Sequence, residues 1–143
     1  NLAAADHMAY VTFPLIKDKR LLIKIVQEIK KVIAVCITAV LQYEYIYKRI
    51  TLSQDSAGNF RTFIEKCAPR YGIDTKDTRL IKDLFAIVEK HKSSPLEFIK
   101  DEKVVILSEN MVPTTLSIEK TKEFLAVAKN LLKKTKEKIL SGG

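Results

Sequence analysis

The chain contains no tryptophan, two cysteines, two histidines, four glycines and four prolines among its 143 residues. Each scarcity excludes something. So few glycines and prolines cannot build the many tight turns of an all-β fold, and they are equally unlike a disordered composition. Cys36 and Cys67 stand far apart with no second pair at short spacing, which rules out the paired-ligand pattern of a structural zinc or iron site, so no cofactor or metal is expected. Both cysteines fall in helical patterns and read as buried, reduced thiols. The longest uncharged run, VIAVCITAVLQY from Val32 to Tyr43, is well short of the roughly 20 residues that a membrane span needs. No signal-peptide pattern precedes it. A soluble cytoplasmic protein with no membrane partner is the expectation. The chain also lacks a glycine-rich phosphate loop, a carboxylate pair spaced for acid–base work and a Ser or Cys nucleophile beside a histidine.

What remains is abundant apolar and basic character. Hydrophobic residues make up 47% and the formal net charge is +8. Twenty lysines against five arginines resemble thermophile compositions. The same excess weakens a nucleic-acid reading, because forked guanidinium groups serve base and phosphate recognition better than ammonium groups do. The opening NLAAADHM has no periodicity and ends in His-Met, the remnant of a cloning site. Residues 1–8 are therefore set aside as a leader, with His7, and residues 9–143 are read as one domain.

Apolar residues recur at helical spacing through Leu22, Ile25, Ile29, Val32, Cys36, Ala39, Tyr43, Ile46 and Ile50, predicting a first helix from about Lys17 to Ile50. A parallel stripe of Val26, Ile33, Val40 and Tyr47 widens its apolar flank beyond what one partner helix covers. These four residues are the expected seam of a homodimer. TLSQDSAGNF then breaks the pattern, with Ser56 as N-cap of a short helix ended by Pro69 and Gly72. A third helix opens at Asp74 or Thr75, buries Leu80, Ile81, Leu84, Ile87 and Val88, and stops near Lys92 ahead of Pro95.

From Pro95 to Pro113 the period changes to two. LEFI and VVIL flank KDEK and read as a small β-hairpin. Ser117 caps a last helix whose stripe is Phe124, Leu125, Ala128, Leu131, Leu132, Thr135 and Ile139. The expected fold is an all-α, antiparallel four-helix bundle with a long first helix and a hairpin-like excursion between the third and fourth helices.

This order of elements, with KHKSSPLEF followed by KVVIL and a lysine-rich closing helix, resembles the archaeal branch of the HEPN (higher eukaryotes and prokaryotes nucleotide-binding) superfamily from Lys17 to Leu140. The resemblance implies a homodimer and a nucleotidyltransferase-like partner protein. Active members are metal-independent ribonucleases that use an Arg, four to six residues, then a His. The nearest Arg before His91 is Arg79, with eleven residues between. On one helix the two are roughly 18 Å apart, so the ribonuclease role does not carry over and the chain reads as a degenerate member.

His91 is the only catalytic candidate, and its simplest role is to complement, with Lys90 and Lys92, the negative end of a helix. Lys90, Lys92, Lys122, Lys129 and Lys133 are the candidate nucleic-acid contacts. In YEYIY, Tyr43 and Tyr47 are four apart and are expected to pack together in a core or dimer seam rather than to stack on bases. The sequence reading is thus a non-catalytic homodimeric interaction or accessory module. An RNA-binding protein or ribonuclease with its site at the dimer seam is the alternative.

Overall fold

The computed structural model describes residues 19–142; the leader, His7 and the expected helix start at Lys17 lie outside them. Helix α1 is Lys19–Ile46, α2 is Ser56–Thr62 and α3 is Thr75–Ser93. Strands β1 (Leu96–Lys100), β2 (Lys103–Leu107) and β3 (Pro113–Leu116) follow, and α4 is Ile118–Leu140.

Local chemistry sets the helix ends. At the end of α1, Lys48 takes a left-handed φ of 61°. Its N–H donates to the Tyr45 carbonyl at 2.9 Å and that of Arg49 to the Glu44 carbonyl at 2.9 Å. This is a Schellman closure, and it ends the helix four residues before the expected Ile50. Asp55, not Ser56, caps α2, its carboxylate accepting from the N–H groups of Ala57 and Gly58. That helix runs on as one π-helical turn, Phe63–Cys67. Asp74 caps α3 and Ser117 caps α4, each accepting from a backbone N–H three residues on.

Helix α1 packs most extensively on α4, with α3 against both. Lys120 Nζ lies 3.5 Å from Asp83 and Asn130 Nδ2 2.9 Å from Asp77, so α3 and α4 run antiparallel. Leu22, Ile25, Ile29, Phe63, Ile81, Leu84, Phe124 and Leu131 are fully buried between the helices. Burial of each such side chain contributes about 1.5–3 kcal/mol.

Two expectations are corrected here. The β region is not a small hairpin in an all-α bundle. It is a three-stranded antiparallel sheet in the order β1-β2-β3, so the described residues combine three long helices, one short helix and a sheet. Leu96 pairs with Leu107 and Phe98 with Val105, while Val104 faces Leu116 and Ile106 faces Thr114. Val104, Ile106 and Leu116 point inward and are buried. That inward face is what makes the sheet stable: a lone ribbon would be marginal, whereas three strands with an apolar face on helices are not. The second correction concerns the helix-one stripe. Val26, Ile33 and Val40 are buried within the single chain, and only Tyr47, 54% exposed, remains outside. The α-helix turns every 3.6 residues, so a seven-residue stripe drifts around the axis, and three packed elements cover more of α1 than a single partner helix would. The drift has a counterpart on the first apolar stripe, where Ile46 emerges 70% exposed.

Candidate functional site

His91 lies in the last turn of α3, flanked by Lys90 and Lys92. Its Nδ1 is 2.5 Å from Glu97 Oε2 on β1, so the ring ties the end of the helix to the sheet. Beside it, the Ser94 hydroxyl bridges the strands at 2.6 Å from the Leu107 carbonyl and accepts the Leu96 N–H. On its inner side His91 borders, with Ile87, Val88, Ile106 and Leu116, a void of only about 10 Å³. That space holds one water at most. The geometry describes a structural tie at a helix–strand junction.

The candidate basic residues do not converge. Lys90 Nζ donates to the Thr114 hydroxyl of β3 at 3.0 Å, and Lys92 pairs with Glu89 at 3.7 Å. Lys133 is near Glu137 at 4.0 Å, while Lys122 and Lys129, on the same helix, each have an interaction partner. Because α3 and α4 are antiparallel, Lys133 lies toward the opposite end of α3 from Lys90 and Lys92. These five lysines are not one patch. Tyr43 and Tyr47 do pack against each other, their ring centroids 4.8 Å apart and their planes tilted by 45°.

Sequence reasoning missed a charged cluster at the far end of α1. Glu44, 1% exposed, accepts from Arg70 Nε at 3.0 Å, from Arg49 Nη1 at 2.9 Å and from the Tyr71 hydroxyl at 3.2 Å. Arg49 also covers the Tyr47 ring at 5.1 Å. Burial and the neighbouring Glu44 charge push the Tyr71 hydroxyl well above the usual tyrosine range. The same two causes push the Cys67 thiol up to about 11. A signal was available: Glu44 continues the buried positions Ile33, Ile37, Val40 and Leu41, and a charge at such a position demands partners.

The other surface of α1 is different in kind. Val35 is 69% exposed, and the solvent side of the next two turns presents Ala34, Thr38, Ala39 and Gln42 without one charged group. It borders a groove of about 770 Å³ between α1, α2 and α3, with Ile37, Leu41, Leu52, Phe60 and Phe85 among its walls. The Phe60 and Phe85 rings meet at 5.2 Å, and Lys30 Nζ lies 5.7 Å above Phe85. Apolar walls with a few polar groups at the edge suit an apolar ligand or side chains of a partner.

Among the described residues no three His, Cys, Asp or Glu side chains gather where they could hold a metal ion, and no helix is long and apolar enough to cross a membrane. Comparison of the chain with protein-family models, with curated proteins and with solved structures found no match.

Proposed function

We propose that the protein is a non-catalytic, helix-rich interaction module that acts as a homodimer, with the outward face of α1 as its seam. The observation that carries this reading is the charge-free run Val32–Tyr43. In a chain in which 29% of residues are charged, the exposed side of a long central helix shows none for three turns. Depletion of charge at the centre of a surface is a mark of protein interfaces. The face is also self-complementary. It offers protruding Val35 and Ile46, 69% and 70% exposed, beside the groove lined by Ile37, Leu41 and Phe60. A two-fold axis across α1 sets the protrusions of each copy against the hollow of the other, as an isologous contact requires.

The resemblance to degenerate HEPN relatives belongs to the same proposal. A long first helix, the His91 junction without an arginine at the ribonuclease spacing, and a partner protein of the nucleotidyltransferase type fit an accessory role. In that role the dimer presents surfaces rather than chemistry.

Light scattering at micromolar concentration tests the seam. A dimer is expected for the native chain and a monomer for Val35→Lys with Thr38→Lys, both positions being exposed and neither in the core. A native chain that is monomeric overturns the proposal. Cleavage of single-stranded RNA by the native chain, lost in His91→Ala, replaces it with the ribonuclease alternative.

A further inference from the structure

A depression of about 500 Å³ opens at the end of the molecule where the π-helical turn, the loop before α3 and the last turns of α4 meet. Arg70, Tyr71, Gly72, Lys134, Lys138 and Ser141 line it. Buried Glu44 accepts the Nε–H of Arg70 at 3.0 Å, which fixes the plane of the guanidinium at the wall. Gly72 has a φ of 73°, and a side chain there would start 3.6 Å from Lys134 Nζ. The backbone turn and the ammonium thus lie against each other.

Lys134 and Lys138 are half-buried, and among the described residues neither has a carboxylate within ion-pair distance. Glu137, also on the rim, lies within reach of Lys133 instead, at 4.0 Å. Most lysines of this chain extend into water. These two sit one helical turn apart on the same side of α4, facing an arginine held in place from behind. The carbonyl end of α4 offsets part of their charge. Glu44 already meets the charge of Arg70, so the positive charge that the helix end and Glu137 on the rim leave over rests on Lys134 and Lys138.

We propose that this depression is an anion site that takes a phosphate group. Lys134 and Lys138 supply point charges, and the anchored Arg70 and the backbone of Gly72 form its wall. The phosphate belongs either to a small phosphorylated molecule or to a nucleic-acid backbone, and both present the same tetrahedral oxyanion. The site lies apart from the charge-free face of α1 and does not depend on dimer formation.

The test is a titration of the full chain at low salt, followed by amide NMR. Inorganic pyrophosphate is the probe in one arm and a short single-stranded RNA in the other. Shifts confined to Tyr71, Gly72, Lys134, Lys138 and Ser141 are expected in at least one arm. Saturation by pyrophosphate assigns a small phosphorylated ligand, and saturation by RNA alone assigns a backbone phosphate. Lys134→Gln with Lys138→Gln should weaken binding by about tenfold or more, the loss expected for two charge-assisted hydrogen bonds. Lys82→Gln with Lys92→Gln removes equal charge from exposed positions elsewhere and should change it less than about twofold. Equal weakening by both pairs, or shifts spread over all basic surfaces, overturns the proposal. So does the absence of any shift at Gly72 and Ser141 in the native chain.

Discussion

Glu44 occupies a position where its neighbours on α1 are Val40, Leu41 and, three turns back, Ile33, all buried. A carboxylate there persists because Arg49, Arg70 and Tyr71 all donate to it. Removing it strands three donors, two of which can swing toward water and one of which, Tyr71, cannot. Glu44→Ala is therefore expected to destabilise the fold by about 3 kcal/mol, measured by urea denaturation, whereas a neighbouring exposed change such as Gln42→Ala should be near neutral. Cys67 gives a second expectation. Its thiol is held up to about 11 from an ordinary 9.0, by burial first and the Glu44 charge second. The folded chain keeps this proton after the unfolded chain has lost its own, so the contribution is complete below pH 9 and declines as pH rises toward 11. Stability curves of the native chain and Cys67→Ala should converge across that window. Both thiols should resist a maleimide until the chain is unfolded, since both are buried.

At the level of elements, the connections carry conformations that their residues do not favour. Asp101 and Glu102 form the two-residue link between β1 and β2 with φ of 53° and 64°, the signature of a type I′ turn that usually takes Asn-Gly. Lys48 closes α1 in the same left-handed region without being glycine. Replacing Glu102 or Lys48 by glycine relieves a cost of about 1–2 kcal/mol at the price of some unfolded-state entropy. Each should raise stability by roughly 0.5 kcal/mol, read from thermal or urea midpoints. The His91–Glu97 tie makes the opposite prediction. His91→Ala should cost about 1 kcal/mol and loosen β1, seen as faster amide exchange at Leu96 to Lys100. Unchanged exchange there would remove the tie as the explanation for the histidine. Edge strand β3 begins at Pro113, and Lys90 reaches its Thr114 side chain. β1 presents Leu96, Phe98 and Ile99 at 38–49% exposure, its protection being the charged KDEK turn at its end.

For the whole molecule, the two proposed surfaces respond oppositely to salt. The α1 face of the seam is uncharged and the groove beside it carries one charge of each sign, Lys30 and Glu89, so raising ionic strength from roughly 0.05 M to 0.5 M should change the dimer dissociation constant little. Phosphate binding at Arg70, Lys134 and Lys138 should weaken strongly as the screening length falls. Sedimentation and titration at the two ionic strengths check this together. A dimer that dissociates in salt would place charge in the seam and contradict a contact through Val35, Thr38 and Gln42.

Much of the helical pattern was legible, although α1 ends at Ile46 rather than Ile50 and Asp55 rather than Ser56 caps α2. Leu80, Ile81, Leu84, Ile87 and Val88 are buried as their spacing indicated, and Asp74 and Ser117 mark the helix starts where expected, because periodicity and capping are local and act within a turn or two. β3 was not legible: four residues beginning with proline, behind a loop without glycine, become a strand only because β2 is already there to pair with them. The stripe expected as a seam on α1, Tyr47 apart, proved buried within the chain for a related reason. Its sequence shows how wide the apolar flank is. Which side of that flank stays open depends on where α3, α4 and the π-helical turn come to rest. Glu44 with Arg70, and Arg70 with Lys134, are likewise pairs that only distant chain segments meeting in space could create.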